Sequence, residues 1–256
     1  MLDKAKKLKG YKLRALDGEI GSVKEFYFDD KHWTIRYLVV DTGSWLVGKQ
    51  VLISPYAITS VEPDDKTISV DLTKAQIEDS PSLDTDKPVS KQFEDSYYSY
   101  YGWPSYWDGP NAWGSFSYAT EAREHWNRIR EEQDNGDRHL RSSLDVSGHL
   151  IQAKDGEIGH VEDFVVDDDT WTIRYLVVAT RNWWPGEKVL ISPLWIDHIS
   201  WVESKVYLML TREAVRNSPA YSDETLLERG YETSLHEHYK REGYWEQEFA
   251  GAKHLR

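Results

Sequence analysis

The acidic runs Asp29-Asp30 and Asp167-Asp168-Asp169 are the first residues whose type and spacing point to chemistry. Carboxylate oxygens grouped in a turn take hard cations such as calcium. The order is wrong for an EF-hand loop, with no acids at alternate positions and no closing glutamate, so the expectation is a pair of solvated turns. His236-Glu237-His238, with Glu242 close by, raises zinc. Histidines two apart share a face only in a strand, and Lys240 stands where an HExxH helix needs its second histidine. The matching places earlier in the chain hold Tyr98 and Tyr100, so a surface reading and no metal are expected. No Gly-rich phosphate loop, nucleophile elbow or Ser-His-Asp spacing is present. Among 44 acidic residues nothing singles out an acid–base pair. The expectation is a chain that is not an enzyme and uses no cofactor.

Composition narrows the partners. The formal net charge is −13 and the pI about 5.2 over 256 residues. Phosphate backbones need a basic footprint that such a chain lacks, so no nucleic acid is expected. With no cysteine there are no disulfides, thiolate nucleophiles or Cys-ligated zinc. No run of 18 apolar residues predicts a membrane span, and the chain is expected to be cytoplasmic.

Aromatic residues remain as the main candidates. Twelve tryptophans and 16 tyrosines exceed what two small cores need. Residues 97–118 (YYSYYGWPSYWDGPNAWGSFSY) hold ten aromatics among Gly, Pro and Ser, which argue against a continuous helix or strand there. Trp and Tyr bury large area at little entropic cost and are enriched at interface hot spots. Trp45, Trp103, Trp107, Trp113, Phe116, Trp183 and Trp184 are therefore the candidate partner-binding residues. The competing reading is that these rings pad undersized cores from within.

The elements that must position them are written twice. Residues 17–55 return at 155–193 with a gapless offset of 138, and 25 of the 39 positions are identical. The octet WTIRYLVV recurs whole, at 33–40 and 171–178. The aromatic tail follows the same offset, with Tyr101, Tyr106 and Trp107 matching Tyr239, Tyr244 and Trp245. Within each copy Asp-Gly marks a hairpin turn, and altered apolar spacing near Gly21 predicts a bulge. Period-two alternation from Trp33 to Val40 predicts a strand, and Thr73 or Asp71 is expected to cap a short helix. Six or so short strands predict a compact antiparallel barrel. Residues 120–133 are expected to be helical, and 134–143 charged and mobile.

The order DGEIG, aromatic-hydrophobic strand, acidic turn, WTIRYLVV and VLISP, met twice, resembles the PRC-barrel family. YYGWPSYW at 100–107 resembles the segment that follows many bacterial members. The resemblance covers residues 9–81 and 150–219 as barrels, plus the tails. It implies a six-stranded β-barrel, as in the cytoplasmic part of the photosynthetic reaction centre H subunit and the C-terminal domain of a ribosome maturation factor. In both, the barrel docks on other proteins and is not known to carry out bond-making chemistry. The H subunit's N-terminal membrane helix and the maturation factor's preceding domain have no match here. No functional residue is carried over from either.

The fold expected is all-β, with two tandem small antiparallel barrels of PRC-barrel type, short helices and an aromatic-rich linker. Residues 1–9 form a basic arm (Lys4, Lys6, Lys7, Lys9) and 10–83 the first barrel. The aromatic tail, linker and helix span 84–149, the second barrel 150–221, and an aromatic C-terminal tail 222–256. The function expected is a non-enzymatic scaffold that docks on a protein partner, with homo-oligomers or intramolecular barrel pairing and peripheral association with a membrane complex. The alternative is a small-ligand or metal-cation binding module in the cleft between the barrels.

Overall fold

The computed structural model describes residues 2–46, 49–81, 89, 91–107, 109–119, 140–180, 188–222, 224–225 and 227–246. Residues 120–133 and the loop bearing Trp183 and Trp184 lie outside them. Among the described residues, β2 (Lys12–Ala15) and β3 (Gly18–Asp29) form a hairpin over Asp17-Gly18. Gly18 sits at φ +139, where a side chain is disfavoured. β4 (Thr34–Asp41), β5 (Gln50–Ile53), a 3-10 turn (Pro55–Ala57), β6 (Ile58–Glu62) and β7 (Thr67–Val70) follow. Ser54 caps the turn by accepting from Tyr56 N, and of the two expected caps Thr73 is the one used on α2 (Lys74–Glu78), in a capping box with Gln76. α3 spans Lys91–Tyr101. The same order of elements returns as β8 (Leu140–Ser142), α4 (Ser143–Val146), β9 (Leu150–Ala153), β10 (Gly156–Asp167), β11 (Thr172–Ala179) and β12 (Lys188–Ile191). A 3-10 turn (Pro193–Trp195), β13 (Ile196–Ser200), β14 (Lys205–Leu208), α5 (Arg212–Arg216) and α6 (Arg229–His238) complete it.

The chain divides into two units. Unit 1 comprises Met1–Val146 with Phe164–Arg174, and unit 2 comprises Ser147–Asp163 with Tyr175–Arg256. In unit 1 the strand order is β11-β4-β3-β2-β7-β6, with β5 on β4 and β8 on β3. In unit 2 it is β13-β14-β9-β10-β11, with β12 on β11. Neither ladder closes among the described residues, where β6 and β13 each have a single strand neighbour. The sheets are also mixed, since β7 runs parallel to β2 and β14 parallel to β9. The expected closure into two antiparallel barrels is not seen among the described residues, whose strands form open, mixed ladders. Among the described residues helix makes up 23% against 42% strand, a strand-rich fold.

The basic arm is a second correction. Leu2–Lys4 is a strand, β1, paired antiparallel in unit 1 with residues 165–167 of β10. Ala5–Leu8 then forms one helical turn, α1, with Ala5 and Leu8 buried and Lys6 and Lys7 exposed. Counting lysines concealed an apolar pair three residues apart, which is one face of a helix. β8 pairs with β3 in the same register 138 residues on, so residues 140–142 are a strand and not a mobile stretch. Trp33 stands outside its expected strand, at φ 53, with β4 beginning at Thr34.

The bulge expected near Gly21 is present, as register shifts opposite Leu13/Arg14 and between Val23 and Glu25. The glycine is needed for space. A Cβ at Gly21 would lie 2.0 Å from Asp41 O, and one at Gly159 would lie 1.9 Å from Ala179 O. Gly21→Ala is expected to cost about 1–3 kcal/mol through forced backbone movement. Gly43→Ala, at φ +57 in open space, should cost only about 1–2 kcal/mol from its left-handed backbone. Denaturant midpoints of the two variants check this, and an unperturbed Gly21→Ala would contradict the close approach.

Candidate functional site

α3 brings a carboxylate into the interior of unit 1. Tyr97 pins the helix to β5: its hydroxyl donates to Leu52 O at 2.8 Å and accepts from Ser54 N at 3.3 Å. Glu94, one turn earlier, is thereby buried beside β4. The helix ends at Gly102, whose φ of 66 lets the chain reverse. That reversal returns Tyr106 to the same carboxylate. Glu94 Oε1 accepts from Tyr37 at 3.0 Å and from Tyr106 at 2.7 Å. Burial, reinforced by the Glu94 charge, pushes both hydroxyls well above the ordinary tyrosine range, so they remain donors at neutral pH.

Arg36, also on β4, is 0% exposed. One Nη donates to Ala112 O, and Nη2 donates to Asp29 Oδ2 at 2.7 Å. The guanidinium carbon lies 3.8 Å from the Tyr106 ring centroid and 4.9 Å from that of Trp113. Such stacking is favourable where water is excluded. Asp29, 4% exposed, also takes His32 Nδ1 at 2.8 Å and Lys31 N at 2.7 Å. Burial alone would raise its carboxyl. The His32 hydrogen bond and the Arg36 charge outweigh burial and hold it well below the usual range. Solvation, expected for this turn, is therefore corrected: an arginine seven residues on reaches back across the hairpin. β4 is accordingly buried on both faces, where alternation alone implied one.

Equivalent residues form both clusters again 138 positions later. In unit 1, Arg174 Nη2 donates to Asp167 Oδ2 at 2.8 Å, and Thr170 Oγ1 donates to the same oxygen at 3.0 Å. The Asp167, Asp168 and Asp169 carboxylates come within 4.8 Å of one another, but Asp167 is turned to these donors. In unit 2, Glu232 Oε1 accepts from Tyr175 and from Tyr244, each at 2.9 Å. Arg229 Nη1 lies 3.0 Å from the other Glu232 oxygen. His236 is buried between Trp195 and Trp245, which corrects its expected surface position. His238 Nε2 lies 2.8 Å from Ala214 O, so the two histidines serve separate contacts.

The candidate aromatics fall at different depths. Trp113 is buried, donates from Nε1 to Thr170 O at 3.2 Å and packs on Tyr56 at 4.8 Å. Trp103 is half-buried and stacked on Tyr101 at 4.4 Å, and Trp107 is half-buried against Tyr106 at 4.8 Å. Phe116 is half-buried and accepts at its backbone from Trp113 N. Trp45 is half-buried, with Lys74 Nζ 5.5 Å from its ring centroid. Trp183 and Trp184 lie outside the described residues. The tyrosines at 97–101 are helical, because the helix-breaking residues begin only at Gly102.

Sequence reasoning missed Glu94, Arg36 and Glu232. The repeat carried a signal for each, since Tyr37, Glu94 and Tyr106 all recur as Tyr175, Glu232 and Tyr244. Identical acids in an aromatic tail indicate burial with the hydroxyls around them.

Asp29→Asn, by leaving Arg36 unpaired, should cost about 3–5 kcal/mol. The pH sign follows from the lowered carboxyl. Its stabilisation is full above the unfolded carboxylate value of about 3.9 and is lost as pH falls through the folded value. Denaturant midpoints of wild type should therefore decline in acid more steeply than those of Asp29→Asn. Parallel declines would contradict the pairing.

No curated protein matches the chain. One family model does, and its span runs from β1 into α2, taking in the strand first expected to be a solvated arm. A PRC-barrel domain is found at residues 2–77.

Proposed function

We propose that this chain is a non-enzymatic docking scaffold, a bacterial cytoplasmic protein with PRC-type barrels in tandem, used as the barrel of the reaction centre H subunit is used. The observation that carries the reading is the direction of the charged groups. Arg36, Asp29, Glu94 and Glu232 are buried and each is hydrogen-bonded to neighbours of its own unit, while large apolar side chains stand exposed at turns. Leu16 is 69% exposed and Val202 97%. A tandem arrangement is supported by the recurring element order of β2–β7 in β9–β14.

On unit 1 the docking face of this reading is Leu16 with Trp45. Lys74 Nζ lies 5.5 Å from the Trp45 ring centroid and 3.4 Å from where a Cβ on Gly18 would stand, two residues after Leu16. Tryptophan is enriched at interface hot spots, where truncation costs about 2 kcal/mol or more. That is about a 30-fold loss of affinity.

The test is quantitative cross-linking capture with the full chain against the Leu16→Asp/Trp45→Ala double variant. A partner that wild type retains and the folded variant loses, with affinity down about 30-fold, supports docking at this face. Identical capture by both would reject it. Thermal shift across a metal and metabolite panel tests the ligand-binding alternative, because a ligand at 100 times its Kd adds about 2.7 kcal/mol.

A further inference from the structure

His236 of unit 2 sits where hydrogen-bond donors and acceptors do not balance. It is 2% exposed, with Nδ1 2.9 Å from Glu242 O. A carbonyl only accepts, so Nδ1 carries a hydrogen. Nε2 lies 3.1 Å from the Tyr175 hydroxyl, and that hydroxyl lies 2.9 Å from Glu232 Oε1. With a neutral imidazole, one hydroxyl proton faces two acceptors. A proton on Nε2 changes this: the imidazolium donates to Tyr175, and Tyr175 donates to Glu232. Arg229 and Tyr244 already occupy the Glu232 carboxylate. A proton added to this chain of hydrogen bonds is therefore taken at Nε2 of the histidine.

Several charges and surfaces oppose or favour that proton. Tyr175 faces the imidazole from β11, and Glu232 and Arg229 face it from α6. Glu246 acts from the segment beyond the helix. The Trp195 and Trp245 rings cover it at 5.1 and 4.9 Å. An imidazolium regains water only by displacing what covers it, which is the segment carrying Glu242 and Trp245. Unit 1 has no such group. Tyr98 occupies the equivalent position, and a phenol brings its own proton.

We infer that His236 is an acid-operated latch: protonation of Nε2 turns the Tyr175 hydroxyl wholly to Glu232 and loosens residues 239–246 from unit 2. Burial is the largest influence on the imidazole and lowers its affinity for a proton, with Arg229 adding to it against the Glu242 carbonyl, Glu232 and Glu246. The sign follows. A histidine whose folded value is depressed contributes stability that is full above the unfolded value of about 6.5 and is lost as pH falls below it.

The test follows amide hydrogen exchange of residues 239–246 in the full chain between pH 7.5 and 4.5, corrected for intrinsic rates, with His236 titrated by imidazole NMR. Wild type should show at least tenfold faster exchange in acid, with a midpoint below 6.5. His236→Tyr, which installs the Tyr98 arrangement, should abolish the transition. Tyr175→Phe removes the imidazolium's acceptor and should move the midpoint to lower pH; a merely packing role would change stability without moving it. An acid transition that persists unchanged in His236→Tyr, or a His236 midpoint unmoved in Tyr175→Phe, would overturn the latch.

Discussion

A guanidinium held out of water is the constraint on which unit 1 depends. Burying the Arg36 charge requires substitutes for the hydration it gives up. Asp29 supplies the counter-charge from the preceding strand, and Ala112 supplies a carbonyl. Tyr106 and Trp113 supply ring faces. Three of these four groups come from residues 106–113, beyond the span of the PRC-barrel match. The aromatic segment is therefore structural to the strands that precede it. A layer of some 70 residues buries little surface alone, and these rings complete its core.

The same requirement explains why α3 carries an acid. Two tyrosine hydroxyls buried against β4 need acceptors, and one Glu94 oxygen serves both. Burial costs are met by mutual hydrogen bonding, which fixes the helix and its returning loop as one cooperative piece. Unit 2 keeps the acid and both tyrosines but changes the surroundings. Leu235 stands for Tyr97, His236 for Tyr98 and Lys240 for Gly102. Lys240 takes φ 52 where Gly102 takes 66, so the reversal survives with a small strain. Equal geometry is thus built from different residues, with an imidazole in unit 2 where unit 1 holds a phenol.

Much of the local structure was legible in the chain. Asp-Gly turns, the Thr73 capping box, the period-two strand at 34–41 and the glycine-marked bulge all rest on interactions within a few residues. The candidate site was less legible. Asp29 looked like a solvated turn because its partner is seven residues away across a hairpin. Trp113 looked like an interface residue because composition carries no depth, and only packing on Tyr56 and Thr170 places it inside.

By itself the sequence determined the repeat, the turns, the strands and the absence of thiol chemistry, all properties of residue type and spacing. Tertiary structure alone decided that the ladders stay open, that β2 and β7 run parallel, and that the first lysine-rich residues form a strand on β10. It also decided which acids are buried. Pairing between distant strands depends on which surfaces meet, and the cost of an unmatched buried charge selects the arrangement in which Arg36, Asp29 and Glu94 each face a partner.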